Sequence, residues 1–129
     1  IFKSAKKDNT IIFHNAINTK KIKILKKKGI KLIRSKIDNK KMFNLKTVLK
    51  KLYILGVRNL LVEGGDKITK NLIQNRLIDK FYLFKSPKNL LISKEHMTFT
   101  SLDTLNSKYK NKTRISPKLA KDNITIYKR

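Results

Sequence analysis

Apolar and polar positions along this chain fall into short runs that alternate between two periods. The run "NTIIFHNA", residues 9–16, has a β-branched apolar centre between polar ends and predicts a buried strand. In "INTKKIKILKKKG" Asn18 or Thr19 can cap a helix, Ile22 and Leu25 give partial helical spacing, and Gly29 can end it. "IKLIR", residues 30–34, reads as a second short strand, and the polar "SKIDNKKMF" after it as a loop. Asn44 can cap the clearest helix, in which Leu45, Val48, Leu49 and Leu52 share one face and Gly56 is the stop. "VRNLLVE", residues 57–63, predicts a third, buried strand. "GDKITKNLIQNR" predicts a third helix with Ile68 and Leu72 on one side, and "IDKFYLFKSP", residues 78–87, a fourth strand closed by proline. Residues 88–110 are poorly patterned and read mostly as loop. "NKTRIS" and "NITIYK" alternate and predict an antiparallel hairpin closing one edge. Strand and helix alternate through the first two thirds, which predicts an α/β fold with a mixed sheet, parallel neighbours and right-handed crossovers.

Composition narrows the classes. A chain of 129 residues holds one domain and a modest core. It has no cysteine, which excludes disulfides, thiol catalysis and cysteine-ligated zinc and fits the cytoplasm. No signal-peptide pattern follows Lys3, Lys6 and Lys7, and no apolar run is long enough for a bilayer, so no membrane partner is expected. The formal net charge of +25 invites a nucleic-acid reading. Yet lysines number 28 and arginines 5, and arginine is the better reader of bases. Abundant lysine, isoleucine and asparagine are what an AT-rich genome favours. The charge is therefore read as a solvated surface without a specific nucleic-acid partner, and a basic nucleic-acid-binding module stays as the alternative.

The stretch "LLVEGGDKIT", residues 60–69, carries the chemistry. Two of only four glycines stand side by side between a predicted strand and a predicted helix. Glycine supplies a positive φ for a tight turn, which predicts that Gly64 or Gly65 adopts one. Glycines also bare the backbone to a ligand, and a helix start offers free N–H groups and the positive end of its dipole to phosphate. The stretch is neither a GxGxxG nor a P-loop sequence, so a plain glycine turn and a phosphate site stand about level. Glu63 would end a central strand, where a carboxylate is costly unless it faces a cleft or is paired.

The longer stretch "LKKLYILGVRNLLVEGGDKITKNLIQNRLIDKFYLFKSPKNL" resembles the reductase domain of the riboflavin-biosynthesis bifunctional deaminase/reductase. Gly56-Val57, Val62-Glu63-Gly64-Gly65, Leu77-Ile78-Asp79 and Pro87-Lys88 stand in that family's order and spacing over residues 46–90. The resemblance implies a three-layer, dihydrofolate-reductase-like mixed sheet with flanking helices. It also implies NADPH-dependent reduction of the ribosyl group of 5-amino-6-(5-phosphoribosylamino)uracil to ribityl. Carried over by motif, Glu63 would contact this pyrimidine ribosylamine phosphate. Gly65, Asp66, Lys67, Ile68, Thr69, Lys70 and Asn71 would hold NADPH near its phosphates. Asp66 is an anion beside a pyrophosphate and is expected to cap the helix with its carboxylate turned away. The family's Pro-Lys is usually followed by Leu-[Leu/Ile]-Gly, where this chain has Asn89-Leu90-Leu91-Ile92. The family domain is longer, so the chain is read as the C-terminal portion of a reductase domain, without a catalytic residue assigned; a homodimer is compatible with it. A non-catalytic remnant of the reductase is the remaining alternative.

Other residues add little. His14 ends the first predicted strand and can line the same edge as Glu63, or serve as a bonded structural residue. His96 lies in a polar stretch. Two distant histidines without cysteine make no metal site. Phe81, Tyr82 and Phe84 sit in a strand and are read as core rather than as a base-stacking platform.

Overall fold

The computed structural model describes residues 10–17, 20–39, 41–87, 99–115 and 122–129. The chain divides into two compact units, Ile1–Asn59 and Leu60–Arg129.

In the first unit β1 (Ile11–His14), α1 (Lys20–Lys27) and β2 (Lys31–Arg34) form a strand-helix-strand unit with the two strands parallel, Ile11 opposite Lys31 and His14 opposite Arg34. Leu25 and Ile30 are buried here, with Ile12 and Leu32 packed against them. Gly29 stops α1 at φ 70, as expected, and its N–H bonds to the Lys26 carbonyl. Asn18 and Thr19, the expected caps, lie outside the described residues. α2 (Leu45–Ile54) begins at Asn44, whose Oδ1 accepts the Thr47 N–H at 3.1 Å. The Lys51 ammonium donates to the Arg34 carbonyl and the Ser35 hydroxyl, which fastens α2 to the end of β2.

Gly56 ends α2 at φ +91, with its own N–H on the Tyr53 carbonyl and the Val57 N–H on the Leu52 carbonyl. A Cβ built there meets nothing within 4 Å. Gly56→Ala therefore isolates backbone strain from crowding. It is expected to cost about 1–2 kcal/mol, the ordinary penalty for a side chain in the left-handed region. Urea unfolding reads this as a lower midpoint, and an unchanged midpoint would count against the assigned turn.

In the second unit α3 (Asp66–Gln74) precedes β3 (Lys80–Lys85), α4 (Leu102–Lys108), β4 (Asn111–Ile115) and β5 (Asn123–Lys128). The three strands are antiparallel in the order β3-β5-β4, with Phe81 opposite Tyr127 and Thr113 opposite Ile126. The hairpin is present, with β5 in the middle of its sheet and β4 on the outside. Ile73, Leu105, Tyr109 and Tyr127 form the core, and Ile78, Phe81, Leu83 and Phe99 pack against it. β3 buries one face only. Phe81 and Leu83 point inward, whereas Tyr82 and Phe84 are exposed, which corrects their reading as core.

Two elements differ from expectation. α4 replaces part of the predicted loop. Leu102, Leu105 and Tyr109 have helical spacing, but two turns of pattern next to unpatterned polar residues carry little weight until tertiary packing supplies the rest. Leu105 and Tyr109 are buried. The predicted third strand is absent: residues 57–63 have no regular secondary structure and pair with neither sheet. Leu60, Leu61 and Val62 are exposed, Leu61 by 81%. A strand exists only through its neighbours, and among the described residues this apolar run has none. Glu63 accordingly does not end a central strand.

The element types among the described residues remain those of a mixed α/β fold with parallel and antiparallel strands and four helices, consistent with a dihydrofolate-reductase-like class. Among the described residues no helix is long and apolar enough to cross a membrane.

Candidate functional site

The second unit opens with the stretch that carries the candidate chemistry. Glu63, Gly64 and Gly65 are all exposed, and Gly65 is the N-cap of α3. Its φ of −70 and ψ of 169 are extended values that any residue adopts, and Gly64 is not at positive φ either. This corrects the expected left-handed turn: the chain enters α3 directly from an extended residue. Crowding does not require glycine at position 64. A Cβ on Gly64 would stand 3.4 Å from Ile68 Cβ and 3.7 Å from Val62 Cγ1, near ordinary contact distances. What the pair does contribute is uncovered backbone immediately before a helix.

That helix start carries no side-chain cap hydrogen bond. The Ile68 and Thr69 N–H groups turn back to the Gly65 carbonyl. The N–H groups ahead of them have no intrahelical partner, as at any helix start. Exposed donors, the positive end of the helix dipole and the ammonium groups of Lys67 and Lys70, both exposed on the same helix, suit a phosphate-bearing cofactor.

Asp66 does not cap the helix. Its Oδ1 accepts the Thr100 N–H at 3.1 Å and its Oδ2 the Thr100 hydroxyl at 2.8 Å. The correction has a simple cause: Asp66 is the first helical residue, not the N-cap, and Thr100 offers two donors at once. Those two bonds, hydroxyl first, hold the Asp66 carboxyl below its ordinary 3.8, with a further push from the charge of Lys70 and against a desolvation penalty. A carboxylate lowered in this way is ionised at neutral pH, so its tie to Thr100 is complete there and is lost as pH falls through the lowered value.

Thr69 and Asn71 are half-buried. Asn71 lies in the second turn, where its carbonyl and Oδ1 both accept the Asn75 side-chain amide. The structure thus gathers Gly65, Asp66 and Lys67 at the helix start and commits Asn71 to the other end. Thr100 and Ser101, which sequence reasoning passed over, lie beside that start. The usable signal was Ser101 immediately before the apolar spacing of Leu102, Leu105 and Tyr109. In the first unit His14 Nδ1 is 3.1 Å from the Ala16 carbonyl, the bond of a structural histidine. His96 lies outside the described residues.

A family model described as the RibD C-terminal domain matches residues 1–120, which include the glycine pair, α3, Thr100 and Ser101. The chain belongs to the RibD C-terminal domain family. It is also similar to the riboflavin biosynthesis protein RibD of Aquifex aeolicus (strain VF5), 35% identical over 79 residues. The matched stretch covers 61% of this chain and 20% of that relative, so the chain aligns with a fifth of the longer protein.

Proposed function

We propose that this chain is the NADPH-binding, C-terminal part of a reductase of riboflavin biosynthesis. Its substrate in this reading is 5-amino-6-(5-phosphoribosylamino)uracil, whose ribosyl group becomes ribityl. The observation that carries the proposal is the bare Gly64-Gly65 backbone at an uncapped helix start, since backbone conformation demands glycine at neither position and crowding does not demand it at Gly64. Family membership supplies the reaction class.

NADPH, when bound, supplies the hydride. The chain's own residues bind and orient. The N–H groups from Gly65 onward meet phosphate, and Lys67 and Lys70 add attraction. Glu63, exposed beside the glycines, contacts the pyrimidine substrate. Much of the rate enhancement in such a reaction comes from holding two carbons in line, so these residues act through placement.

The test is turnover in the full-length protein as its gene encodes it, followed by loss of NADPH absorbance on adding the pyrimidine substrate. Glu63→Gln keeps the shape and removes the charge. It is expected to lower turnover by about tenfold or more, a barrier change of about 1.4 kcal/mol or more, while NADPH affinity stays within about twofold. Equal losses in both quantities, or none in turnover, would remove Glu63 from the substrate's surroundings. The lysine-rich, arginine-poor surface gives no reason to add a sequence-specific nucleic-acid partner.

A further inference from the structure

An aspartate at the first position of a phosphate-binding helix needs an explanation. Such a carboxylate favours the helix dipole in the empty protein but opposes an incoming phosphate. Here both of its oxygens are engaged by one residue, Thr100, 34 positions along the chain. A second tie of the same sequence separation joins the far ends of the two helices, where the Lys108 ammonium donates to the Gln74 carbonyl. α3 and α4 therefore lie side by side in the same direction, with Thr100 and Ser101 leading into α4 next to the first turn of α3. Ser101 is 1% exposed, and its hydroxyl has no hydrogen-bond partner among the described residues.

We infer that Thr100 is a positioning residue whose hydroxyl and N–H draw the Asp66 carboxylate aside, leaving the first turn of α3 open to the cofactor's phosphates. The inference rests on the NADPH reading above. Thr100 does two things in this arrangement. It fixes the start of α4 against α3, and it holds a negative charge away from the donors that bind an anion. Without the Thr100 hydroxyl only the Thr100 N–H still holds the carboxylate, so Asp66 turns more readily toward the helix start, where its charge repels the incoming phosphate and its oxygens compete for the same N–H groups.

The charge role and a purely structural role separate in a double-mutant cycle read by equilibrium binding of NADPH to the full-length protein. Thr100→Val keeps the shape and removes the hydroxyl. It is expected to weaken NADPH binding by about fivefold at low salt, the scale of one unit-charge contact fully screened by water. The defect shrinks as salt is added. Asp66→Asn placed in the Thr100→Val background is expected to restore binding to within about twofold of the parent, because the repelling charge is gone. Thr100→Ser, which keeps both donors, behaves as the parent and controls for folding. Thr100→Val binding as tightly as the parent would overturn the inference. So would a double variant no better than Thr100→Val, since a structural tie is not rebuilt by a second loss. In both cases parental NADPH binding still stands, and the reading of the site is decided separately by Gly65→Val. A parent protein that does not bind NADPH removes that reading and this inference together.

Discussion

Leu105→Ala is expected to cost the second unit about 2–5 kcal/mol, the range for truncating a fully buried leucine. Leu105 has no exposed surface and joins Ile73 from α3 to Tyr109 and Tyr127. Those residues bring one helix of the candidate site, the segment after Thr100 and the middle strand into one cluster. A cavity at Leu105 therefore removes contacts from all three. Domains of this size are stable by only about 5–15 kcal/mol, so the loss is a large share of the whole. Chemical denaturation monitored in the second unit, for example through the exposed Tyr82 environment or amide exchange, reads the change. Leu61→Ala is the matching control. Leu61 is 81% exposed, and the substitution is expected to stay within about 0.5 kcal/mol of the parent. Equal effects from the two would contradict the assigned core, and above all the helix that holds Leu105.

That helix also shows where the sequence was legible. Gly29 and Gly56 stop helices at positive φ, Asn44 caps through its side chain, and the closing hairpin pairs as its alternation predicts. The helix stops and the cap are local events decided within four or five residues, and the hairpin pairs two runs that are neighbours in the sequence. The misreadings were of a different kind. α4 depends on Leu105 and Tyr109 meeting Ile73 and Tyr127, residues far away in sequence. Residues 57–63 have strand composition, but a strand needs a neighbour and none pairs with them among the described residues. The candidate site divides in the same way. The glycine pair before a helix was visible in sequence. The destination of the Asp66 carboxylate was not, because its partner is 34 residues away and threonine at that position carries no periodic signal.

Gly65→Val is the second substitution with a large expected effect. Gly65 has φ −70 and ψ 169, a conformation that valine accepts, and it is exposed. The substitution is therefore expected to leave the fold intact and α3 in place. A β-branched side chain would nevertheless cover backbone that a phosphate group must approach. NADPH binding is expected to weaken by at least about tenfold, or about 1.4 kcal/mol. The combination decides the case. A variant that folds as the parent does but loses NADPH places the site at the glycine, whereas loss of both affinity and stability points to a structural glycine.

The claim that the start of α3 receives the cofactor's phosphates is tested most directly by following backbone amide resonances of the full-length protein during an NADPH titration. The account predicts that the largest shifts fall on Gly65, Asp66 and Lys67. It predicts smaller shifts along α3 toward Gln74 and the loss of this pattern in Gly65→Val. NADPH binding that leaves these three amides unmoved, with the largest shifts elsewhere in the protein, would contradict it.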